Sequence, residues 1–457
     1  MYRGRLGHAP WQMRPGAGHR LGQAARRGRR SFATGMAALS LFGTVCTGSS
    51  PRVAVSTTVS SPSSSPSRTP SPGLPKPLCH QTNHPPRPEA TSTRRNLPPA
   101  IALVADQIQQ VRGLRFRRAV TPEPVSKQRI GRLLVKGLNE QFPAAEEARR
   151  RLAWATIGAI PPQTDLHRAI LDFGASQIIG FYDTDTHQLV FVGGQSLTPL
   201  ERLTLAHELT HALDDQAFDL SRLDDLARAC RDDRAGAFLA LTEGDAVVSS
   251  LLWAIRHLSA AQRESIARDA LGASSPPASV PPFLEEELTF PYPNGQAFVE
   301  ALLRRGGEGA VNRAFRQPPA STEQILHPAK YPGDAPQDVE VADLSRLLGK
   351  GWKDLDVQDV GEGWLRDLLA LGLPDRQSSG AAAGWDGGQY RAWSRGSSVA
   401  VLMETVWDSA GEASEFGRAM KEWLGGRTAQ VVQEGSSVRV FFASDLSTLR
   451  SLQQAAG

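Results

Sequence analysis

The chain has 457 residues, with 51 Lys and Arg, 47 Asp and Glu, and a net charge of +4. The charge is uneven: residues 1–100 hold 14 basic residues and one acid, whereas residues 101–457 hold 37 basic and 46 acidic residues. An acidic body argues against a nucleic-acid-binding protein, whose folded domain would carry a basic face. The three cysteines permit one bridge at most and exclude a four-cysteine zinc site. Cys230 lies in a predicted turn and is interpreted as a buried or unpaired thiol and not as a metal ligand.

Residues 1–46 have the layout of an export signal. A cluster of arginines precedes about 13 weakly apolar residues that begin at Ala33, a run shorter than the roughly 20 residues of a membrane span. The RRSF tetrad at 29–32 matches the core of a twin-arginine signal, and an ordinary secretory signal fits the same layout. Cys46 would be the anchor of a lipoprotein, but the residues before it lack the Leu-then-small-residue pattern. We therefore expect an exported protein, either secreted or tethered to the cell envelope through its N-terminus.

Residues 47–99 are rich in serine, threonine and proline. Between positions 51 and 100, 12 Pro and 15 Ser or Thr occupy more than half of the segment, and no apolar period is present. Such a segment buries too little apolar surface to offset the entropy lost on ordering. The composition therefore predicts a disordered tether between the export signal and the folded body.

Residues 100–335 are predicted to form a mainly helical domain. Apolar residues recur at helical spacing in several segments that prolines separate. The apolar run 246–255 is only ten residues long, which indicates a buried core helix and not a membrane span. The helical segments are 101–111, 130–138, 145–157 and 231–271.

A β-hairpin and a helix with a well-marked start are predicted in the middle of this domain. Two β-prone runs, 178–182 and 189–192, flank a turn-rich tetrapeptide. In the following segment Thr198 is a predicted N-cap, Pro199 occupies the first helical position and Glu201 completes a capping box.

The C-terminal region predicts a different architecture. Residues 380–457 show the order ββαββα, which indicates a small separate α+β domain. Residues 336–379 are interpreted as a linker. The expected fold class of the whole chain is α+β, with the small sheet placed just before the main helix of the mainly helical domain 100–335.

The capped helix contains the motif HELTH. His207 and His211 are four residues apart and lie on one helical face, where two imidazoles can reach one ion. Glu208 lies one residue further round, where it can contact a water that the ion activates. This HExxH pattern predicts a zinc site with Glu208 as the general base.

A catalytic zinc site needs a third protein ligand. Ala217 occupies the position where metzincins have their third histidine, so that solution is excluded. A glutamate on a following helix is the other common solution, and the segment LTEGDA supplies Glu243 in an apolar neighbourhood. Gly244 beside it would let another backbone approach closely. The predicted zinc ligands are therefore His207, His211 and Glu243.

The segments HELTHALDDQ and LTEGDA resemble those of secreted bacterial gluzincins, the clan that contains thermolysin. They are more similar to a poorly characterised group of exported proteins of that clan, in which a GYYD-type hairpin precedes the HExxH helix. Here that place holds the segment 180–183, GFYD, and the resemblance continues through 287–292 and 321–328. It covers roughly residues 100–335. It departs from thermolysin's pattern at Val247, where an acid would be expected, so Asp215 or Asp245 is expected to orient the imidazoles.

The resemblance implies a zinc-dependent peptidase. Glu208 would take a proton from the attacking water and pass it to the leaving amine, and the strand 189–192 would pair with the extended backbone of a peptide or protein substrate. A donor for the developing oxyanion is also needed. The candidates for this catalytic role are His327, Tyr331, Tyr182 and His187.

Two alternatives stay open at this stage. A catalytically silent zincin-like domain could keep the same residues and act as a cell-envelope binding protein. The C-terminal domain could serve as an interaction module in either case. The motif HExxH does not discriminate between these functions.

Overall fold

The computed structural model describes residues 97–457, apart from residues 143, 178, 185, 195 and 272–276. The predicted export signal and almost all of the predicted tether therefore lie outside the described residues. The described chain is α+β, as predicted, with one three-stranded and one five-stranded sheet. The strands are β1 (Pro122–Val125), β2 (Gly180–Tyr182), β3 (Leu189–Val192), β4 (Lys353–Asp359), β5 (Trp385–Arg395), β6 (Ser398–Trp407), β7 (Ala429–Glu434) and β8 (Ser437–Ala443).

Helices dominate the part of the chain before residue 330. The predicted helical segments form there, and the long predicted segment 231–271 divides into two helices at Leu258. The helices are α1 (Pro99–Arg112), α2 (Lys127–Gln141), α3 (Ala144–Ile157), α4 (Leu166–Gln177), α5 (Pro199–Phe218), α6 (Arg222–Arg228), α7 (Asp232–His257), α8 (Ala260–Leu271), α9 (Pro282–Thr289), α10 (Pro291–Arg316) and α11 (Thr322–Leu326).

The first sheet has the order β1-β3-β2 and confirms the predicted hairpin. Strand β2 pairs antiparallel with β3, and β1 pairs parallel with the other side of β3. Strand β1 was not predicted because Pro122 and Pro124 were interpreted as breaks, yet proline is tolerated on an edge strand. Both sides of β3 are therefore hydrogen-bonded, and the predicted pairing of a substrate backbone with β3 is wrong. The edges of this sheet are β1 and β2.

Helix α5 begins as predicted. The Thr198 hydroxyl accepts a hydrogen bond from the backbone N–H of Glu201, and the Glu201 carboxylate accepts one from the N–H of Thr198, with Pro199 at the first turn. This capping box defines the start of the helix that carries HELTH. From Leu203 to Gln216 every residue of α5 is buried, so the helix runs through the core.

Helix α7 is the central element of the helical part. It packs against α5 on one side and against α10 on another, and it carries Glu243. Among the described residues, α7 is long and apolar enough by length and composition to cross a membrane, and 78% of the relevant window is buried inside the protein. Its contacts are those of the core helix that the sequence predicts.

The crossing of α7 and α10 depends on two glycines. A Cβ atom at Gly244 would overlap the backbone of Gly295, and a Cβ at Gly295 would overlap the carbonyl group of Ala240. The close backbone approach predicted at Gly244 is thereby confirmed, and Gly295 is the residue that approaches. The spacing of the two helices at this point sets the position of Glu243, one residue before Gly244.

The C-terminal sheet is antiparallel throughout, in the order β4-β5-β6-β8-β7. Its last elements follow the predicted ββαββα order. Residues 336–379, predicted as a linker, contribute the edge strand β4 and three helices. Strand β4 is rich in acidic residues, and its strand conformation depends on pairing with β5 and not on its own propensity. The helices of the region are α12 (Ser345–Leu348), α13 (Glu362–Ala370), α14 (Asp375–Ala382), α15 (Ala410–Leu424) and α16 (Leu446–Ala456).

One hydrophobic core extends across the predicted boundary at residue 380. It contains buried residues of α3, α9 and α13 together with residues of β5, β6 and α15. Phe283 stacks edge-on against both Trp154 and Trp364, with centroid distances of 5.3 Å in each pair, and Trp364 contacts Tyr390. The supposed linker is therefore part of a packed core that the helical part and the C-terminal sheet share.

Substitution of Gly244 by alanine tests the helix crossing. The added Cβ meets backbone, which cannot rotate away, so we expect Gly244→Ala to destabilise the protein by about 3 kcal/mol or more. Gly131→Ala on α2 is the matched control, because a Cβ there meets nothing within 4 Å. Alanine has the higher helix propensity and should stabilise by roughly 0.5–1 kcal/mol. Urea unfolding of both variants measures the difference, and equal midpoints would contradict the crossing described.

Candidate metal centre

Helix α5 presents two histidines on one face. The Nε2 atoms of His207 and His211 lie 3.1 Å apart, and their ring planes are nearly perpendicular at 83°. The residues are 0% and 4% exposed. Two imidazole nitrogens in this arrangement require a shared proton or a shared cation between them, because two facing lone pairs repel.

Helix α7 supplies the third member of the group. Oε2 of Glu243 lies 3.3 Å from Nε2 of His207 and 3.6 Å from Nε2 of His211. Ligand atoms held at zinc distances by a tetrahedral ion are about 3.3–3.6 Å apart. Among the described residues, this is the group of histidine, cysteine and acidic side chains whose ligand atoms all lie within 4.8 Å of one another. The residues present therefore fit a zinc ion.

The protonation states of the group also suit a metal. Burial alone would raise the pKa of Glu243, but the nearby His211 and His207 outweigh it and bring that pKa to about 2. Burial lowers the pKa of His207. An ionised carboxylate and a neutral imidazole are the forms that bind metal ions.

Glu208 lies between strand β2 and the group of His207, His211 and Glu243, which is called the metal group below. Its side chain is fully buried, and a Cβ added at Gly180 would lie 3.2 Å from Glu208 Cγ. Burial, and after it the carboxylate of Glu243, raise the pKa of Glu208 well above its usual range, while the backbone of Tyr182 acts in the opposite direction. A carboxylate of raised pKa accepts a proton more readily near neutral pH.

A buried arginine joins the helices that carry these ligands. Arg112, at the end of α1, is 0% exposed. Its guanidinium lies 3.1 Å from Asp214 on α5 and 2.5 Å from Asp245 on α7. It also donates to Glu308 at 3.0 Å and to Asn312 at 2.8 Å, both on α10. The Arg112 side chain thus connects four helices. Its partner on α5 follows His211 by three residues, and its partner on α7 follows Glu243 by two.

Aromatic rings and acids complete the surroundings of Arg112. Its guanidinium carbon lies 5.9 Å from the ring of Phe218 and 5.7 Å from that of Phe315, within the range of cation–π contacts. Burial raises the pKa of Asp214 well above its usual range; Arg112 opposes this shift and Asp245 reinforces it. The sequence offers no signal for Arg112, because an arginine in the last turn of an amphipathic helix is typical of an exposed C-terminus.

Tyr182, His187 and Asp215 form a second polar cluster on the sheet side of α5. The Tyr182 hydroxyl donates to Asp215 Oδ2 at 2.9 Å and lies 3.0 Å from Nδ1 of His187. Nδ1 of His187 is 3.1 Å from the same carboxylate oxygen. These residues, all suggested by the sequence, are brought together beside the HELTH helix.

The structure does not bring His327 and Tyr331 to the metal group. Nε2 of His327 pairs with Glu362 at 2.8 Å, and the Tyr331 hydroxyl donates to the carbonyl of Gln317 at 2.8 Å. Helix α11, which precedes both, is bound at the start of α7 by Asp233, whose carboxylate accepts from Thr322. Glu243 is ten residues further along α7, which is about 15 Å.

Asp245 also differs from its expected role. Its carboxylate is held by Arg112, and within residues 97–457 as described it has no hydrogen bond from an imidazole. It therefore acts on the metal group by fixing α7 and not by orienting a histidine ring.

The comparisons with known proteins found a family model and a solved structure that are similar to this chain. Residues 346–450 match the family model of a domain of unknown function, DUF8575, a range that includes β4. No curated protein matches the chain. Among solved structures it is similar to that of a "putative hydrolase with a novel fold" from Chloroflexus aurantiacus, with 17% identity, a TM-score of 0.35, and coverage of 50% of this chain and 86% of that one. At this TM-score the similarity establishes neither a shared fold nor an activity.

Replacement of Arg112 by methionine tests the role of the buried cation. Loss of one partner leaves buried acids uncompensated, so we expect destabilisation of about 3–5 kcal/mol at neutral pH. The pKa of Asp214 is raised in the folded state. The stability that Asp214 contributes is therefore fully present below its pKa in the unfolded chain, and it is lost as the pH rises through its pKa in the folded protein. Without Arg112 the pKa of Asp214 rises further, and the deficit should be larger at about pH 8 than at about pH 5.

The exposed Arg115→Met is the matched control and should change the unfolding free energy by less than about 0.5 kcal/mol. Denaturant unfolding at the two pH values measures both variants. A deficit in Arg112→Met that does not depend on pH would contradict the described charge cluster.

Proposed function

We propose that the protein is an exported zinc metallopeptidase in which His207, His211 and Glu243 hold the ion and Glu208 is the general base. The observation that carries the proposal is the triangle of two Nε2 atoms and one Oε2, with sides of 3.1, 3.3 and 3.6 Å, beside a buried glutamate. The resemblance of the HELTH and LTEGDA segments to gluzincins supports the same reading.

The chemistry of the group follows from its residues. A zinc ion held here would supply Lewis acidity, which polarises a carbonyl and makes water more acidic. Glu208 is placed to take the proton from the attacking water and to return it to the leaving amine. Its raised pKa makes the carboxylate a stronger base than an exposed glutamate.

Strand β2 is the better candidate for binding a peptide backbone. Strand β3 is paired on both sides, whereas among the described strands β2 pairs with β3 alone, and the Tyr182 backbone faces Glu208. An extended substrate added to the edge of β2 would place a peptide bond close to Glu208. A peptide or protein is therefore the proposed substrate.

Export is proposed from the N-terminal layout and from the cysteines. Cys230 is disulfide-bonded, contrary to its interpretation as an unpaired thiol. The other two cysteines, Cys46 and Cys79, lie outside the described residues. A disulfide is typical of proteins in oxidising compartments. Its presence agrees with secretion or attachment to the cell envelope.

Burial of the site favours one alternative. His207, Glu208 and Glu243 are each at most 1% exposed. A structural zinc site is closed, whereas a catalytic one keeps a position open for substrate. The second candidate function is therefore a zincin-like domain with a bound ion and no peptidase activity, which would act as a cell-envelope binding protein.

Metal analysis tests the proposed ligands. Protein purified without chelator should contain one zinc per chain, and chelation should lower its thermal midpoint because the ion binds the folded state. Loss of an outer partner weakens zinc binding by roughly 10–100-fold, so loss of the ligand in Glu243→Gln should exceed about 100-fold. Glu404→Gln on β6 is the matched control and should keep the zinc. Metal-free wild-type protein would refute the assignment.

Activity of Glu208→Gln separates the two candidate functions. The substitution removes the base and keeps the shape of the side chain, so zinc content should be unchanged while peptide hydrolysis falls by about 100- to 10,000-fold. Cleavage of a broad peptide library, followed by mass spectrometry, provides the measurement. A zinc-loaded wild type that cleaves no member of the library would favour the silent zincin-like domain.

A further inference from the structure

His187 lies in the connection between β2 and β3 and has an unusual backbone conformation. Its φ angle is +54°, in the left-handed region that residues with a side chain rarely adopt. Histidine, asparagine and aspartate are the residues most often found there, and such positions cluster at functional sites. The backbone strain at His187 therefore indicates a function for its imidazole.

The imidazole is oriented by two buried partners. Asp215, 4% exposed, accepts the Tyr182 hydroxyl on Oδ2 and the backbone N–H of Leu220 on Oδ1. Because the Tyr182 proton goes to Asp215, Nδ1 of His187 faces two oxygens that act as acceptors, at 3.0 and 3.1 Å. Nδ1 must therefore carry the proton, which leaves a lone pair on Nε2.

That lone pair has no partner among the described residues. Nε2 of His187 is a buried atom with no hydrogen bond within the described part of the chain, and the His187 side chain as a whole is 10% exposed. Buried polar atoms in folded proteins are nearly always hydrogen-bonded. An oriented imidazole with a buried, unused acceptor is a site that a ligand donor can complete.

The position of the cluster relates it to the metal group. Asp215 follows His211 by four residues and Glu208 by seven, so all three lie on one face of α5. His187 is thus placed about one helical turn, or about 6 Å, beyond His211. An extended peptide advances about 3.3 Å per residue, so this offset equals about two residues of substrate.

We propose that Nε2 of His187 is a substrate contact that accepts a hydrogen bond from a backbone N–H of the peptide, about two residues from the scissile bond. The inference rests on the proposed peptidase function and deepens it. Asp215 and Tyr182 are positioning residues, because they act through the imidazole. His187 would select for peptides over esters at one defined position.

Two variants separate the contact from a structural role. Asparagine at 187 tolerates positive φ, and its amide can donate to Asp215 in place of Nδ1, but it has no group at the position of Nε2. Glutamine can place an amide oxygen near the position of Nε2. In the Glu208→Gln background, which prevents cleavage, the peptide that wild type cleaves best should bind about tenfold more weakly to His187→Asn. His187→Gln should retain part of that affinity.

Depsipeptides identify the partner atom. Each probe replaces one amide N–H of the same peptide by an ester oxygen, and calorimetry gives its affinity for Glu208→Gln with and without His187→Asn. One probe should bind about tenfold more weakly to Glu208→Gln and show no further loss in the double variant. Thermal midpoints within a few degrees of each other would exclude unfolding as the cause.

The outcomes separate this inference from the proposed function. If wild type cleaves peptides, Glu208→Gln does not, and His187→Asn binds every probe as tightly as its parent, the contact is refuted and the peptidase stands. If wild type cleaves nothing and Glu208→Gln binds no peptide, the proposed function fails and the His187 contact fails with it.

Discussion

The geometry of the candidate metal centre depends on one buried cation. Arg112 is fully buried and contacts acids on the two helices that carry the ligands, as well as two polar residues of α10. A buried charge without partners costs several kcal/mol, so the helices can pack in this way only while the arginine and the acids compensate each other. Asp214 and Asp245 follow His211 and Glu243 by three and two residues. The ion pairs that hold the helices together therefore also hold His211 and Glu243, two of the three proposed ligands.

Two further features fix the same geometry from different directions. The contact between Gly244 and Gly295 brings the backbones of α7 and α10 together directly after Glu243, which limits how far that carboxylate can move. The capping box at Thr198 defines where the HELTH helix begins. Strand β2 then covers the face that carries Glu208. Charge compensation, close packing and helix capping thus converge on three ligand atoms, which explains why a site assembled from distant segments is so compact.

Local signals predicted the parts of the structure that local physics determines. Helix periodicity, the capping box, the hairpin and the pairing of His207 with His211 follow from residue spacing. Glu243 was chosen as a glutamate on a following helix in an apolar neighbourhood. Strands β1 and β4 were not predicted, because β1 contains prolines and β4 is acidic. Both strands form only by pairing with a neighbour. The sequence placed His327 and Tyr331 at the candidate site, whereas the preceding helix α11 is bound by Asp233 at the start of α7, ten residues before Glu243. The role of Arg112 was not predicted, because its partners lie 102 or more positions further along the chain.

His207, His211 and Glu243 are proposed to bind one zinc ion. X-ray absorption at the zinc edge, on the purified full chain, measures the ligands directly. We expect a first shell of nitrogen and oxygen atoms at about 2.0–2.2 Å, with the outer scattering of two imidazoles, and loss of one oxygen in Glu243→Gln. A shell without imidazole scattering, or a spectrum that is the same in Glu243→Gln, would contradict it.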